Sequence, residues 1–287
     1  SSGSRLGSPS SCLLASHMAV WSRMAQTVLA SIVIPTLNRK EELNACLESL
    51  SNQTEQRFDI VLITDDAPLA VCRNRGLQSA HAPVVCFLDD DVVCPPGWLA
   101  SVLRAFDSSS VMGVSGPSII PVPFRNNRVL YKHQYLRQLY DRCFVFPERR
   151  PGHLTPAGTF VPDPDWRYKG EVEFLEACNM SFRTQALTTI GGFDEAYGGI
   201  GDWSEPDVCF RLRQNFPEAC LWFSPDAGVE HRPSQAGAFA KRRPQSWIRL
   251  ANYHRFAERW VKPAFRHTLY CGFLRTYYTG SYYGWWR

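Results

Sequence analysis

Short apolar runs alternate with amphipathic segments through the N-terminal half of the chain, and this alternation limits the folds that are open to it. The runs are SIVIP at residues 31–35, DIVLI at 59–63 and VVCFL at 84–88, each as long as a typical buried strand. Residues 38–50, 69–80 and 98–106 carry apolar residues at helical spacing. This alternation predicts an α/β fold with a mostly parallel sheet, whose strand ends meet at one edge.

Composition indicates a chain with a hydrophobic core. Of the 287 residues, 45% are hydrophobic and 20% are charged, and the net charge is +4, which excludes a disordered chain. No apolar run approaches the roughly 20 residues of a membrane-spanning helix, so no span is predicted. The ten cysteines occur singly and without a C-x-x-C pair, which argues against a zinc cluster or redox motif. Free thiols in a reducing cytoplasm are the favoured interpretation.

The sequence divides into three parts. Residues 1–18 are rich in Ser and Gly and are interpreted as a leader added for protein expression. Residues 27–235 are predicted to form the main domain, with halves at about 31–120 and 121–235. Residues 236–287 form an extension with ten Lys or Arg, one acid and fourteen aromatic residues. Its charge implies an anionic partner.

Further elements follow from the same patterns. Asn38 is expected to cap the helix that starts there, with Glu41 and Glu42 in its first turn. Strands are predicted over residues 111–120, 173–182, 221–223 and 228–230. Helices are predicted over residues 129–141, 183–190, 206–214 and 246–261.

Two clusters of aspartates follow the ends of predicted strands. They are Asp65 and Asp66 after the second strand, and Asp89, Asp90 and Asp91 after the third. Like charges and burial both raise the pKa of a carboxyl group, so three adjacent aspartates at a buried strand end are costly without a cation. Oxygen ligands of this kind select Mg²⁺ or Mn²⁺. The sequence therefore favours a metal site over the alternative, a solvated acidic turn.

Four motifs, in this order, resemble the family 2 glycosyltransferases of the GT-A fold. They are SIVIPTLNR at residues 31–39, DD at 65–66, CRNRG at 72–76 and FLDDD at 87–91. The resemblance covers residues 31–233, and Ala67, Pro68 and Cys72 depart from the residues common in the family. It implies a Rossmann-like, mostly parallel central sheet flanked by helices. Residues 236–287 lie outside the resemblance and are predicted from their own pattern to form a helical, aromatic C-terminal extension.

The resemblance implies a nucleotide-sugar donor, a UDP-sugar by default, with Mn²⁺ or Mg²⁺ as cofactor and a glycan or other hydroxyl compound as acceptor. The residues that it assigns to the nucleotide are Pro35, Thr36, Asn38, Arg39, Asp65, Asp66, Arg73, Asp89 and Asp90. Those that it assigns to the metal are Asp91, Asp89 and His231. A metal and an arginine supply the positive charge that stabilises a diphosphate leaving group.

Three further motifs carry the other half of the site: EACNMSFR at residues 176–183, IGGFDE at 190–195 and GDWSEPDV at 201–208. By the resemblance, an acid at the last of these is the catalytic base that takes the proton of the attacking hydroxyl. Glu205 fits this role, and Asp202 is a rival. The structural alternative makes Glu205 only a helix cap and Asp207 a first-turn acid. The residues expected on the sugar side are Asn179, Gly192, Asp194, Trp203 and Asp207.

The resemblance also indicates the kind of transfer. The chain lacks the Q-x-x-R-W motif of processive members, which implies a soluble enzyme that adds one sugar by direct displacement with inversion. The helix at residues 246–261 is expected to pack on the catalytic core. Acceptor binding, peripheral contact with a membrane and packing in an oligomer all stay open for residues 277–286, and the oligomeric state is not predicted.

Two other classes of function remain as alternatives. A sugar-phosphate nucleotidyltransferase should carry a Gly-rich loop after the first strand, where this chain has TLNR. A non-catalytic module that binds polyanions through the basic, aromatic extension would bind with a steep dependence on salt. It would leave the three aspartates without a role, so a nucleic-acid partner is not expected.

Overall fold

A seven-stranded sheet lies at the centre of the structure, a computed structural model that describes residues 27–124, 134–146, 150–161, 167–234 and 245–283. The expected leader lies outside these residues. In chain order, the strands of the molecule are β1 (Ala30–Pro35), β2 (Phe58–Ile63), β3 (Val84–Leu88), β4 (Val92–Val93), β5 (Val111–Ser115), β6 (Ser118–Ile119), β7 (Gly170–Val172), β8 (Asn179–Arg183), β9 (Cys220–Phe223) and β10 (Val229–His231).

The strand order in the large sheet is β2-β1-β3-β8-β5-β9-β7. Strands β2, β1 and β3 are parallel, and β5 is parallel to β9. Strand β8 runs antiparallel to both β3 and β5, and β7 runs antiparallel to β9. The predicted mostly parallel sheet is confirmed. Because Asn179 pairs with Leu88, β8 begins at the edge where β3 ends.

A second, three-stranded sheet has the order β4-β10-β6. Strand β10 is antiparallel to β4, with His231 opposite Val92. It is parallel to β6. Since β4 directly follows Asp91, this pairing brings His231 to the aspartates at the end of β3.

Eight α-helices are described: α1 (Lys40–Ser51), α2 (Leu69–Ser79), α3 (Trp98–Ala105), α4 (Gln134–Tyr140), α5 (Thr184–Thr189), α6 (Ser204–Asn215), α7 (Ser246–Trp260) and α8 (Phe265–Tyr283). A π-helical turn, Asp141–Val145, continues α4, and 3₁₀ turns lie at Val122–Phe124 and Pro225–Ala227.

Alternate residues of the central strands face two separate cores. Val33 of β1 and Phe87 of β3 belong to one core, which α2 and α6 cover. Ile32 of β1 and Cys86 of β3 belong to the other, which α1 and α3 cover. This period of two is the geometry of a pleated strand, and it explains why apolar runs without alternation form strands buried on both faces.

Several predicted elements need correction. The predicted buried strand β2 is at the edge of the sheet, where Ile60 and Leu62 on one face are 38% and 42% exposed. Asn38 does not cap α1: the cap position is Arg39 without a side-chain hydrogen bond, and Asn38 adopts a left-handed conformation with φ of 56°. Asn is one of the few residues that visit this region readily.

Two predicted strands are shorter than expected. The strand predicted over residues 173–182 is restricted to β8, because its partner β3 is only five residues long. The strand predicted over residues 111–120 is divided into β5 and β6. Of the helix predicted over residues 129–141, the structure describes α4, and residues 129–133 lie outside the described ranges.

Helices α7 and α8 form a third core together with residues of the main domain. Tyr253 and Phe256 of α7 and Tyr270 of α8 are buried against Tyr197 and Ala157. The expected packing of residues 246–261 on the rest of the protein is therefore observed, whereas α8 was not predicted. Within the described residues, no helix combines the length and apolarity that crossing a membrane requires.

Candidate active site

A cavity of about 430 Å³ opens at the edge where β1, β2 and β3 end. Eight residues predicted to bind the nucleotide or the metal line it: Pro35, Thr36, Arg39, Asp65, Asp66, Asp89, Asp91 and His231. They converge because parallel strands present their carboxyl ends at one edge. Asn38, Arg73 and Asp90, which were also predicted, are not among the lining residues.

Arg39 neutralises the second and third aspartates of the cluster. Its guanidinium forms an ion pair with Asp90, and its Nη1 donates to Asp91 Oδ2 at 3.0 Å. Asp90 is fully buried, and this burial raises its pKa to about 6 despite the hydrogen bond from Thr36 and the charge of Arg39. Asp90 therefore serves the packing of the loop, and its two neighbours face the cavity.

His231 completes the contacts of Asp91. Its Nε2 lies 3.3 Å from Asp91 Oδ1, and the backbone N–H of Ser234 donates to Oδ2 at 3.2 Å. Burial opposes the charge of Asp91, but the hydrogen bond and charge of His231, and then Arg39, outweigh it and lower the pKa of Asp91. Burial favours the neutral imidazole, but the hydrogen bond to Asp91 outweighs it and raises the pKa of His231. The two groups form a charged pair.

Asp89 faces a different set of groups. One carboxylate oxygen of Asp89, the thiol of Cys178 and a ring nitrogen of His231 lie within 4.8 Å of one another. Burial raises the pKa of Asp89, and the charge of Asp91 adds to this effect. An oxygen, a sulfur and a nitrogen donor at this spacing fit a divalent cation.

The two candidate bases lie near the start of α6, and each is held by an arginine. Glu205 is 6% exposed, and Arg73 Nη1 donates to its Oε1 at 2.6 Å. Burial raises the pKa of Glu205, and Arg73 opposes this shift. Asp202 forms an ion pair with Arg249, whose Nη2 donates to Oδ1 at 3.2 Å.

Arg73 was expected to bind the nucleotide, and the structure gives it other partners. Its guanidinium is buried, donates to Glu205 and also to the carbonyl of Ala177 at 3.0 Å. The arginine that lines the cavity is Arg39.

Two residues expected on the sugar side are enclosed in the protein instead. Asn179 is 1% exposed, accepts from Trp98 Nε1 at 3.0 Å and donates to the carbonyl of Ala227 at 2.8 Å. Asp207 is fully buried and accepts from Arg211, Arg259 and Trp260. Their polar groups are committed to joining elements of the fold.

The other three sugar-side residues lie apart from the cavity lining. Gly192 has φ of 70°, and a Cβ there would lie 2.5 Å from Asn74 Oδ1, which explains the glycine. Asp194 forms an ion pair with Arg259 at 2.8 Å. Trp203 packs against Phe160 and other aromatic rings near the start of α6.

One wall of the cavity was missed in the sequence. Gly199, Ile200 and Gln245 line it, and Gln245 Oε1 accepts from the backbone N–H of Ile200 at 3.2 Å. The backbone of Gly198 exchanges two hydrogen bonds with the side chain of Asn252, at 3.2 and 3.0 Å. In the sequence, the only signal for this loop is the glycine pair at residues 198–199. No local pattern predicts that α7 would form hydrogen bonds with it.

The family model described as "Glycosyl transferase family 2" matches residues 31–68 and 68–151 of this chain. A glucosyl-dolichyl phosphate glucuronosyltransferase of Haloferax volcanii is 20% identical over 234 residues, and the match covers 70% of this chain and 68% of that protein. A pre-mycofactocin glycosyltransferase of Mycobacterium tuberculosis is 28% identical over 162 residues, 56% of this chain but only 29% of the relative.

Two solved structures share the fold. A mannosyltransferase of Pyrobaculum calidifontis in complex with GDP-Man and Mn²⁺ superposes with a TM-score of 0.54 at 12% identity, covering 94% of this chain and 79% of that one. GalNAc-T7 with UDP, GalNAc and Mn²⁺ gives a TM-score of 0.55 at 12% identity, with 82% and 48% covered. At 12% identity, this structural likeness concerns the fold alone, and it confirms the predicted GT-A fold.

Proposed function

Because this chain belongs to the family 2 glycosyltransferases, we propose that it transfers one sugar from a nucleotide-diphosphate donor to a hydroxyl acceptor, with a divalent cation and with inversion. The donor in this proposal is a UDP-sugar. The observation that carries it is the cavity at the carboxyl edge of the sheet, where residues of three separate strand ends meet.

The walls of this cavity match the parts of such a donor. Thr36, Asp65 and Asp66 offer hydrogen-bonding groups at the ends of β1 and β2, where a nucleoside would lie. Arg39 lies on the side of Asp89 and Asp91, where a diphosphate would lie. Ligands of open α/β sheets bind at such an edge.

Asp89, Asp91 and His231 are the residues that would hold Mn²⁺ or Mg²⁺, and both solved relatives named above contain Mn²⁺. The bound cation would neutralise charge that develops on the diphosphate leaving group. Arg39 supplies one positive charge on that side of the cavity and offsets the negative charge of the aspartates when no donor is bound.

Glu205 is proposed as the catalytic base, with Asp202 as the rival. The carboxylate accepts the proton of the acceptor hydroxyl as that oxygen forms a bond to the anomeric carbon, and the bond from this carbon to the diphosphate breaks. Attack from the face opposite the leaving group inverts the configuration. Arg73 holds Glu205 in place and favours its ionised form.

Thermal unfolding with nucleotides tests the donor class. The unfolding temperature is expected to rise with UDP or a UDP-sugar when Mn²⁺ is present, because a ligand of the native state raises stability by about 2.7 kcal/mol at a hundredfold excess over Kd. GDP and GDP-mannose, measured in parallel, decide whether the donor carries uracil or guanine as its nucleobase. A shift with GDP alone would contradict the UDP assignment, and no shift with any nucleotide would contradict the proposed donor site.

A further inference from the structure

The thiol of Cys178 lies among the metal-binding candidates, although no motif marked it as one. Asp89 follows the end of β3, Cys178 precedes the start of β8, and His231 ends β10. Three elements that are distant in the chain thus bring one oxygen, one sulfur and one nitrogen donor within 4.8 Å of one another.

Strand register places this thiol. Leu88 pairs with Asn179, and the backbone N–H of Asp89 donates to the carbonyl of Cys178 at 3.4 Å, so the two residues are neighbours across the strands. Cys178 is 5% exposed, and its Sγ donates to Ser118 Oγ at 3.0 Å. The thiol is therefore fixed beside Asp89 on a rigid part of the sheet.

Asp91, another ligand expected from the sequence, has its two oxygens in different surroundings. Oδ2 accepts from Arg39 and from the N–H of Ser234, and Oδ1 faces His231 Nε2 at 3.3 Å. A carboxylate that contacts a metal-binding histidine in this way sets the orientation of the imidazole. Asp91 can orient the imidazole through this contact and still line the cavity, whereas Asp89 faces the thiol and the imidazole directly.

We propose that Cys178 is a metal ligand together with Asp89 and His231, and that this site prefers thiophilic divalent cations such as Zn²⁺ and Co²⁺ to Mg²⁺. The inference rests on the proposed function in that it concerns the same cavity. When the cation binds, the Cys178 S–H bond breaks, the proton leaves to solvent and a metal–sulfur bond forms. Thiolate and imidazole favour Zn²⁺ over Mg²⁺, whose preferred ligands are oxygens.

Titration of the purified chain with Co²⁺ in the absence of nucleotide tests this inference. A thiolate bound to Co²⁺ gives a charge-transfer band in the near ultraviolet, which carboxylate and imidazole ligands do not give. We expect the band to saturate at one Co²⁺ per chain and to disappear in Cys178→Ser and Cys178→Ala. We also expect the Zn²⁺ affinity of both variants to fall roughly tenfold or more, because even the loss of a group that only contacts a metal ligand lowers the affinity by about that much.

Cys209→Ser is the matched control, since Cys209 is also buried but lies in α6, outside this group. It should keep the band. Circular dichroism of the metal-free variants checks that each is folded. If Cys178→Ser is not folded, Cys178→Ala is used for the titration instead. A band that survives in a folded Cys178 variant, or Co²⁺ bound to the wild type without the band, overturns the inference.

The nucleotide measurement separates this inference from the proposed function. A Mn²⁺-dependent stabilisation by UDP without a thiolate–Co²⁺ band would contradict only the role of Cys178. A band without stabilisation by any nucleotide would support the metal site and contradict the proposed donor.

Discussion

At the scale of single residues, the two candidate bases differ in what surrounds them. Glu205 is buried and bonded to the buried Arg73, whereas Asp202 is 25% exposed and pairs with Arg249, which also lies over the ring of Tyr278. Burial raises the pKa of Glu205. A base with a raised pKa accepts a proton more readily at neutral pH, and this favours Glu205.

Glu205→Gln is expected to lower kcat by about 10²–10⁴-fold and to leave the Kd of UDP unchanged, because the amide oxygen can still accept from Arg73. In the wild type, kcat should fall as the pH falls through the raised pKa of Glu205, since only the carboxylate can take the proton. Steady-state kinetics against pH and calorimetry with UDP measure both. Asp202→Asn is the matched variant: loss of transfer there, with activity retained in Glu205→Gln, would identify Asp202 as the base.

At the level of helices and strands, α7 supports a wall of the cavity that is proposed to bind the donor. Asn252 is 3% exposed, and its amide makes both of its hydrogen bonds to Gly198, next to the cavity-lining Gly199. The N–H of Leu69 at the start of α2 donates to the carbonyl of Gly199 at 3.0 Å. The loop is therefore held between two helices, one of them in the C-terminal extension.

Asn252→Leu is expected to raise the donor KM about tenfold, with a smaller change in kcat, because two hydrogen bonds worth about 1 kcal/mol each no longer position the loop. Asn252→Asp keeps the acceptor for the Gly198 N–H and should give an intermediate KM. Asn215→Ala is the control, since that exposed amide bonds only within α6. Equal losses of kcat in Asn252→Leu and Asn252→Asp, with KM unchanged, would show that the loop does not act on donor binding.

At the scale of the whole molecule, Asp91 joins the two sheets. It follows β3 of the large sheet, its backbone carbonyl accepts from Arg232, and its side chain contacts Arg39 and His231. The lowered pKa of Asp91 means that the folded protein binds a proton there less readily than the unfolded chain. The carboxylate thus contributes stability above its unfolded pKa of 3.8, and this contribution is lost as the pH falls through the folded pKa.

Asp91→Asn is expected to lose sugar transfer and about 2 kcal/mol of unfolding free energy at pH 7, the value of hydrogen bonds to a buried charge. The stability difference from the wild type should shrink below about pH 4. Urea unfolding at several pH values measures it. A difference that stays constant to pH 2 would contradict the assigned ionisation, and full activity would contradict the role of Asp91 in the site.

Most of the elements, and the sheet edge at which the cavity opens, follow from the order of residues along the chain. Local patterns suffice for this. The apolar runs end at Pro35 and Leu88, where β1 and β3 also end, and residues 246–261 have the helical spacing of α7. Even α8 had a detectable signal, since Tyr270, Leu274 and Tyr278 recur at every fourth position and are buried. Parallel pairing then places the aspartates after β2 and β3 together.

The partner of each polar group, by contrast, follows from the packing of the folded chain. Arg73 and Glu205 are 132 residues apart, and their ion pair depends on how α2 and α6 pack, which no local pattern encodes. Asn179 and Asp207 look like site residues in the sequence, but burial commits their polar groups to other elements of the fold. Cys178 looks like a core cysteine, but the register of β8 against β3 places its thiol beside Asp89. Periodicity is a property of neighbouring residues, whereas the partner of a buried charge is set by the packing of the whole chain.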